Sequence, residues 1–186
     1  MHPRHFINFI NFAERMKDNT RHSWTSNGRH ESIAEHSWRL CLMAYLVSDE
    51  FPNADIHRVI LMCLFHDIGE AVTGDIPAFD KHNNHEQIEE EAVQRIIKYL
   101  PEPYETELKE LFHEMNAMQT EEAKIFKALD KMEAVLQHNS SDTSTWLPDE
   151  FDYNMQYGEE EVQFSSWMRS LKRLAREDTL AKKSQQ

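Results

Sequence analysis

The chain is poor in everything that interrupts helices or staples a small fold. Four glycines and six prolines in 186 residues leave room for long, unbroken helices. The two cysteines, Cys41 and Cys63, lie in apolar helical stretches and form no C-x-x-C pair. A disulfide framework and a zinc knuckle are thereby excluded, and buried free thiols in a reducing compartment are expected. The apolar run Val59 to Phe65 is seven residues, far short of a membrane span. Met1 to Phe6 carries no apolar core of signal-peptide type, so a cytoplasmic protein without a membrane partner is the expectation. Positive charge is scarce as well. A net charge of -13 argues against binding long nucleic acids, whose affinity comes from neutralising phosphates. The scarcity is uneven, because residues 1–40 hold six Arg or Lys against four Asp or Glu. A cationic patch on an acidic body suits a small anionic ligand.

What is present is a globular composition, 40 % hydrophobic and 28 % charged, long enough for one domain with a sizeable core. Residues 5–17 place Phe6, Ile7, Phe9, Ile10, Phe12, Ala13 and Met16 at helical spacing, which predicts an amphipathic helix capping a core. Residues 18–30 are polar and without period, and read as a loop unusually rich in Arg, His and Trp. Ser32, with Glu35 three residues on, forms a capping box for a helix through His36, Leu40 and Val47. Asp55 caps the helix that carries the seven-residue run. Further helices are expected at 84–100, with Ile88, Ala92, Ile96, Ile97 and Leu100 inward and Glu89 to Glu91 in solvent, at 104–118, and at 120–138. Residues 139–157 lose the period and read as a long loop. A last helix is expected over 159–176 and a frayed tail over 178–186, so that residues 1–177 make the single domain. No strand pattern is evident, and the predicted class is all-α.

The apolar run ends directly in His66, Asp67, Ile68, Gly69 and Glu70. Ionisable groups at the edge of a core need partners, and a metal ion satisfies an adjacent His and Asp together. His36 and Asp130 lie on or beside the apolar faces of two other helices. Two imidazoles and two carboxylates suit a dication such as Mn, Fe, Co, Ni or Zn more than Ca. Four ligands leave positions for water and substrate, the condition for catalysis. Each group also has a plainer reading. His36 alone would be a core histidine, and Asp130, beside Lys127 and Lys131, a surface acid. His82, His85 and His113 are the residues that would extend the site to a second metal.

His36, the His66-Asp67 doublet and Asp130 resemble the H…HD…D signature of the HD phosphohydrolase superfamily. The flanks, Arg29 to Ser37 and Thr73 to Pro77, are similar to those of YfbR-type 5'-deoxynucleotidases and their eukaryotic HD-domain relatives, over roughly residues 5–138. The resemblance implies a helical HD-domain bundle that hydrolyses deoxynucleoside 5'-monophosphates to nucleoside and phosphate. It implies one divalent metal ion (Mn, Co, Fe, Ni, Zn or Mg) on His36, His66, Asp67 and Asp130, and a homodimer. Glu70 and Asp75 match the family acids beside the metal, to orient the attacking water or protonate the leaving oxygen. Arg21 and Trp24 resemble the nucleotide-holding pair, adjacent in bacterial members and here separated by His22 and Ser23. Arg29 is the alternative phosphate clamp. A triphosphohydrolase, a hydrolase of another phosphorylated metabolite and a non-catalytic nucleotide-binding HD module are the competing readings.

Overall fold

The computed structural model describes residues 1–75 and 83–184, the side chains of 83–87 excepted. The expected turn through Ile76 and Pro77, His82 and the side chain of His85 lie outside the described residues. The architecture is all-α, with one small hairpin. Helix α1 spans Pro3–Ala13 and is followed by a 3-10 turn over Glu14–Lys17. Strands β1 (Thr20–Trp24) and β2 (His30–Ser32) pair antiparallel. Then come α2 (Ile33–Leu46), α3 (Ile56–Phe65), the single turn α4 (Glu70–Thr73), α5 (Asn83–Ile97), α6 (Tyr104–Ala117), α7 (Glu121–Ser140), α8 (Glu150–Gln156) and α9 (Ser166–Lys183).

Helices α2, α3 and α7 pack against one another around Ile33, Leu40, Val59, Met62, Cys63, Ile125, Leu129 and Met132, all fully buried. Their starts follow from local chemistry. The Ser32 hydroxyl accepts from the Glu35 amide at 3.2 Å while the Glu35 carboxylate accepts from the Ser32 amide at 2.9 Å, the expected capping box. Asp55 accepts from the Arg58 amide at 3.1 Å and opens α3. Thr120 accepts from the Ala123 amide and opens α7.

Several expectations are corrected or refined. Helix α1 lays Phe9, Phe12 and Ala13 half-buried against the core, as expected, but leaves Phe6, Ile7 and Ile10 exposed, and Met16 of the following turn is the first residue to be buried. Residues 18–30 are no plain loop but hold β1 and the hairpin turn. Thr25 and Gly28 close that turn with a 3.0 Å bond, at a positive φ of 77° that glycine adopts freely. Strands of five and three residues are too short, and too polar, to carry a period. Residues 139–157 contain α8, and α9 starts at Ser166, later than 159. The segment from 178 does not fray at once. Thr179 is buried and Lys182 donates to the Ser141 carbonyl at 2.5 Å, so α9 is tied down through Lys183.

Lys172 of α9 shows how α8 is held. Its fully buried ammonium donates to the Asn154 and Tyr157 carbonyls at 2.8 and 2.7 Å, groups that a helix end leaves without partners. Lys172→Met is expected to lose about 2 kcal/mol, roughly 1 kcal/mol per abandoned carbonyl. Thermal melts should show a fall of ~4–8 °C for a domain of this size.

Arg29 and Glu35 provide a pH test. Their bidentate pair, at 2.8 and 2.5 Å, is the main reason the Glu35 carboxyl is held down to about 2 from 4.5. A depressed carboxyl stabilises the fold above its unfolded value and loses that contribution as pH falls through the folded one. The difference in melting temperature between wild type and Glu35→Gln should therefore be full above pH 4.5 and shrink towards pH 2.

Candidate metal centre and substrate cavity

The three packed helices each deliver one part of a polar cluster. His36 sits in the first turn of α2, His66 and Asp67 follow the last turn of α3, and Asp130 lies in the middle of α7. His66 Nε2 is 3.0 Å from Asp67 Oδ2 and 3.8 Å from Asp130 Oδ1. His36 Nε2 is 3.4 Å from that Asp130 oxygen and 3.9 Å from the Asp67 oxygen. Both Nε2 atoms are buried and make no hydrogen bond, a costly state for a polar atom.

The opposite ring nitrogens are held. His66 Nδ1 donates to the Cys63 carbonyl at 3.0 Å, and His36 Nδ1 lies 2.5 Å from Glu133 Oε2. That leaves both Nε2 atoms free to act as ligands, the arrangement that orients metal-binding histidines. Glu133 is itself fixed by Arg39, 3.2 Å from its other oxygen. In the sequence Glu133 falls within an apolar stripe, and a glutamate at a core position was the signal of its role.

The electrostatics match. Burial would raise the Asp67 carboxyl, but His66, His36 and Arg21 prevail and hold it below the ordinary range. Burial is likewise outweighed at Asp130 by Lys127, 3.1 Å away, and by the two histidines. Burial and Arg21 oppose a charge on His36, yet Glu133 and Asp130 push the metal-free ring up to about 10. The carboxylates thus demand a cation, and a divalent ion replacing that proton fits the orphaned Nε2 atoms and the mixed nitrogen and oxygen donor set.

The cluster opens into a cavity of about 940 Å³, the size of a small-molecule site. Glu70 and Asp75 line it, as expected. Glu70 is buried, and its carboxylate stands near those of Asp67 and Glu89, with ligand oxygens within 4.8 Å of one another. Glu89 therefore faces the cavity rather than solvent, a correction to the expected acidic face; Ile88, expected inward, is 54 % exposed. Gly69 explains the approach of α5. A Cβ there would meet Val93 Cγ2 at 2.9 Å and the Glu89 carbonyl at 3.1 Å.

Strand β1 forms the facing wall. Its register against β2 is irregular between Thr20 and Trp24, and a bulge of this kind re-aims side chains that a regular strand would alternate. Arg21, His22 and Ser23 all line the cavity as a result. Arg21 reaches Asp67 Oδ2 at 3.5 Å and Glu31 Oε2 at 3.4 Å. Burial works against its charge, but Asp67, Glu133, Asp75 and Glu31 secure it. Lys127 and Lys131 add positive charge from α7.

Two expected substrate contacts are not brought to the cavity. Arg29 has its side chain 60 % exposed and paired with Glu35. The Trp24 ring packs on His30 at 4.0 Å between centroids, while its carbonyl accepts from Gln137; neither Trp24 nor Arg29 is among the lining residues. His113 is exposed at the cavity and joins no cluster of metal-ligand spacing among the described residues.

An all-α bundle that gathers His36, His66, Asp67 and Asp130 into one buried cluster of metal-ligand type defines the class of protein. The chain belongs to the HD domain family, whose model matches residues 13–172. It is 34 % identical over 139 residues to the 5'-deoxynucleotidase HDDC2 of Homo sapiens, covering 72 % of this chain and 67 % of that one. It is 31 % identical to the 5'-deoxynucleotidase hdd1 of Schizosaccharomyces pombe, over 70 % of this chain and 69 % of that one. Among solved structures it resembles a predicted metal-dependent phosphohydrolase from Magnetospirillum magnetotacticum MS-1. That match has a TM-score of 0.79 and 26 % identity, over 96 % of this chain and 94 % of that one.

Proposed function

We propose that this protein hydrolyses deoxynucleoside 5'-monophosphates to nucleoside and phosphate, with a divalent metal on His36, His66, Asp67 and Asp130. The observation that carries the reading is the convergence of two orphaned imidazole nitrogens and two carboxylates at the mouth of a cavity lined by Arg21. The 5'-deoxynucleotidase relatives support the substrate class. When bound, the metal supplies Lewis acidity to a phosphate oxygen and to water.

The chain's own groups complete the chemistry. Arg21, held cationic by four carboxylates, pairs with a phosphate through its planar fork. Lys127 adds charge on the same side. Glu70, buried beside Asp67, orients the attacking water as a general base. Asp75 is fixed by the His22 amide, which donates to its Oδ2 at 3.2 Å, and in its protonated form it gives the leaving 5'-oxygen its proton, Arg21 then being secured by Asp67, Glu133 and Glu31. Trp24 packs on the hairpin and supports Arg21 from outside the cavity, and Arg29 braces the capping box of α2.

A cytoplasmic homodimer of this single domain completes the reading. The free thiols at Cys41 and Cys63 and the exposed apolar side chains of α1 support it, and no described helix is long and apolar enough to cross a membrane. Sedimentation velocity tests the dimer.

The deciding assay is phosphate release from a panel of deoxy- and ribonucleoside mono- and triphosphates with Mn, Co or Mg. Release from deoxy monophosphates that EDTA abolishes is expected. No release by protein shown to hold the metal would overturn the reading.

A further inference from the structure

A second group of ligand-type side chains meets on another wall of the same cavity. His22 comes from β1, His138 from the last turns of α7 and Glu150 from the first turn of α8. His22 Nε2 lies 2.6 Å from Glu150 Oε1, and His138 Nε2 lies 3.5 Å from the same oxygen. The 3.5 Å separation falls within the 3.0 to 3.9 Å of the HD centre, whereas the 2.6 Å one is a hydrogen-bond distance. The side chains are 26, 12 and 4 % exposed, so the cluster is sheltered, and both histidines line the cavity.

The surrounding groups hold it in this form. Asn154, 1 % exposed, places Oδ1 3.1 Å from His138 Nδ1. With that carbonyl accepting the Nδ1 proton, Nε2 turns a lone pair towards Glu150 Oε1, so that two acceptors face each other. Glu150 Oε2 accepts from the Leu147 amide at 2.6 Å, so the carboxylate is pinned with its other oxygen towards both imidazoles. Partners of this kind, behind rather than between the ligands, are what fix metal-binding histidines.

We propose that His22, His138 and Glu150 form a second divalent-metal site. Two imidazoles and one carboxylate suit a borderline transition cation such as Zn²⁺, Co²⁺ or Ni²⁺, with further positions open to the cavity. It is not the second ion of a paired centre. His138 follows Asp130 by two helical turns of α7, about 12 Å along the axis at 1.5 Å per residue, whereas paired catalytic ions stand about 4 Å apart. The ion faces the part of a cavity ligand that extends away from the HD centre.

The test is equilibrium dialysis of the full chain against Co²⁺ or Zn²⁺, followed by elemental analysis, on wild type, Asp67→Ala, His138→Ala and Glu150→Gln. Wild type should hold one equivalent more than His138→Ala or Glu150→Gln, and Asp67→Ala should keep the equivalent that depends on His138. In the Asp67→Ala background, Co²⁺ absorption should vanish, and affinity fall at least 100-fold, on adding His138→Ala. Glu150→Gln preserves the side chain's shape and its bond to the Leu147 amide, so folding, checked by circular dichroism, does not confound the result. Equal metal content and affinity in all His138 and Glu150 forms would overturn the proposal and leave a hydrogen-bonded His22–Glu150 pair. Metal content, not phosphate release, is the readout, so this failure is separate from failure of the nucleotidase reading.

Discussion

Asp67→Ala should reduce kcat/KM for deoxynucleoside monophosphates by on the order of 10³-fold or more, a barrier increase of about 4 kcal/mol. Three features of the site set that size. The Asp67 carboxylate is 3.0 Å from His66 Nε2 and 3.9 Å from His36 Nε2, so it contributes to the donor set with both imidazoles. It is also the strongest counter-charge that secures Arg21. Removing it is expected to weaken metal retention and to free the Arg21 guanidinium to turn towards Glu31. Metal content and steady-state rates, measured on the same preparation, check this. A variant that lost its metal yet hydrolysed monophosphates at the wild-type rate would exclude this centre as the seat of catalysis. Raised metal concentration should restore little, because Arg21 loses its partner whether or not the ion returns.

Glu133 is expected to separate metal binding from chemistry. It touches no part of the cavity and acts through the His36 ring. Glu133→Gln retains the shape but removes the charge opposite His36 Nδ1 and Arg39, so metal affinity should fall about 10–100-fold. At saturating metal, kcat should return close to wild type, a pattern that a general packing defect would not produce. Glu133→Leu is harsher. It leaves the Arg39 guanidinium and a buried imidazole without their carboxylate, and breaking a buried pair in this way costs about 3–5 kcal/mol. Thermal melts with and without added metal should show that loss. Unchanged metal affinity in Glu133→Gln would argue that the 2.5 Å contact to His36 serves the core alone.

The HD centre was legible in the sequence because its donors stand at helix positions that periodicity and caps reveal. Ser32 and Asp55 announced α2 and α3, and the seven-residue apolar run placed His66 and Asp67 at the end of a buried helix. Asp130 was harder. Its neighbours Lys127 and Lys131 suggested a surface acid, and only the resemblance to the HD superfamily raised it to a ligand. The hairpin was not legible. Five residues, four of them polar, facing three leave no alternation to read, and the shift in register that turns Arg21 and His22 to the same cavity is a property of the pairing. Trp24 was placed by resemblance to the family's nucleotide-holding pair, and Arg29 by its charge in the same segment. The fold instead stacks Trp24 on His30 and ties Arg29 to the exposed end of α2.

The sequence by itself determined the helical class, the caps, the apolar seams of α3, α6 and α7, and the residue types of the H…HD…D pattern. These are local matters, decided by spacing, propensity and residue type. Tertiary structure alone decided which polar groups stand behind and around those donors. Glu133 reaches His36 across 97 residues, His22 reaches Glu150 across 128, and Glu89 enters the cavity because Gly69 lets α5 close in. Such partners share no periodicity with one another. They are selected by burial, since a charge taken from water must find its counter-charge wherever the packed helices bring one within reach.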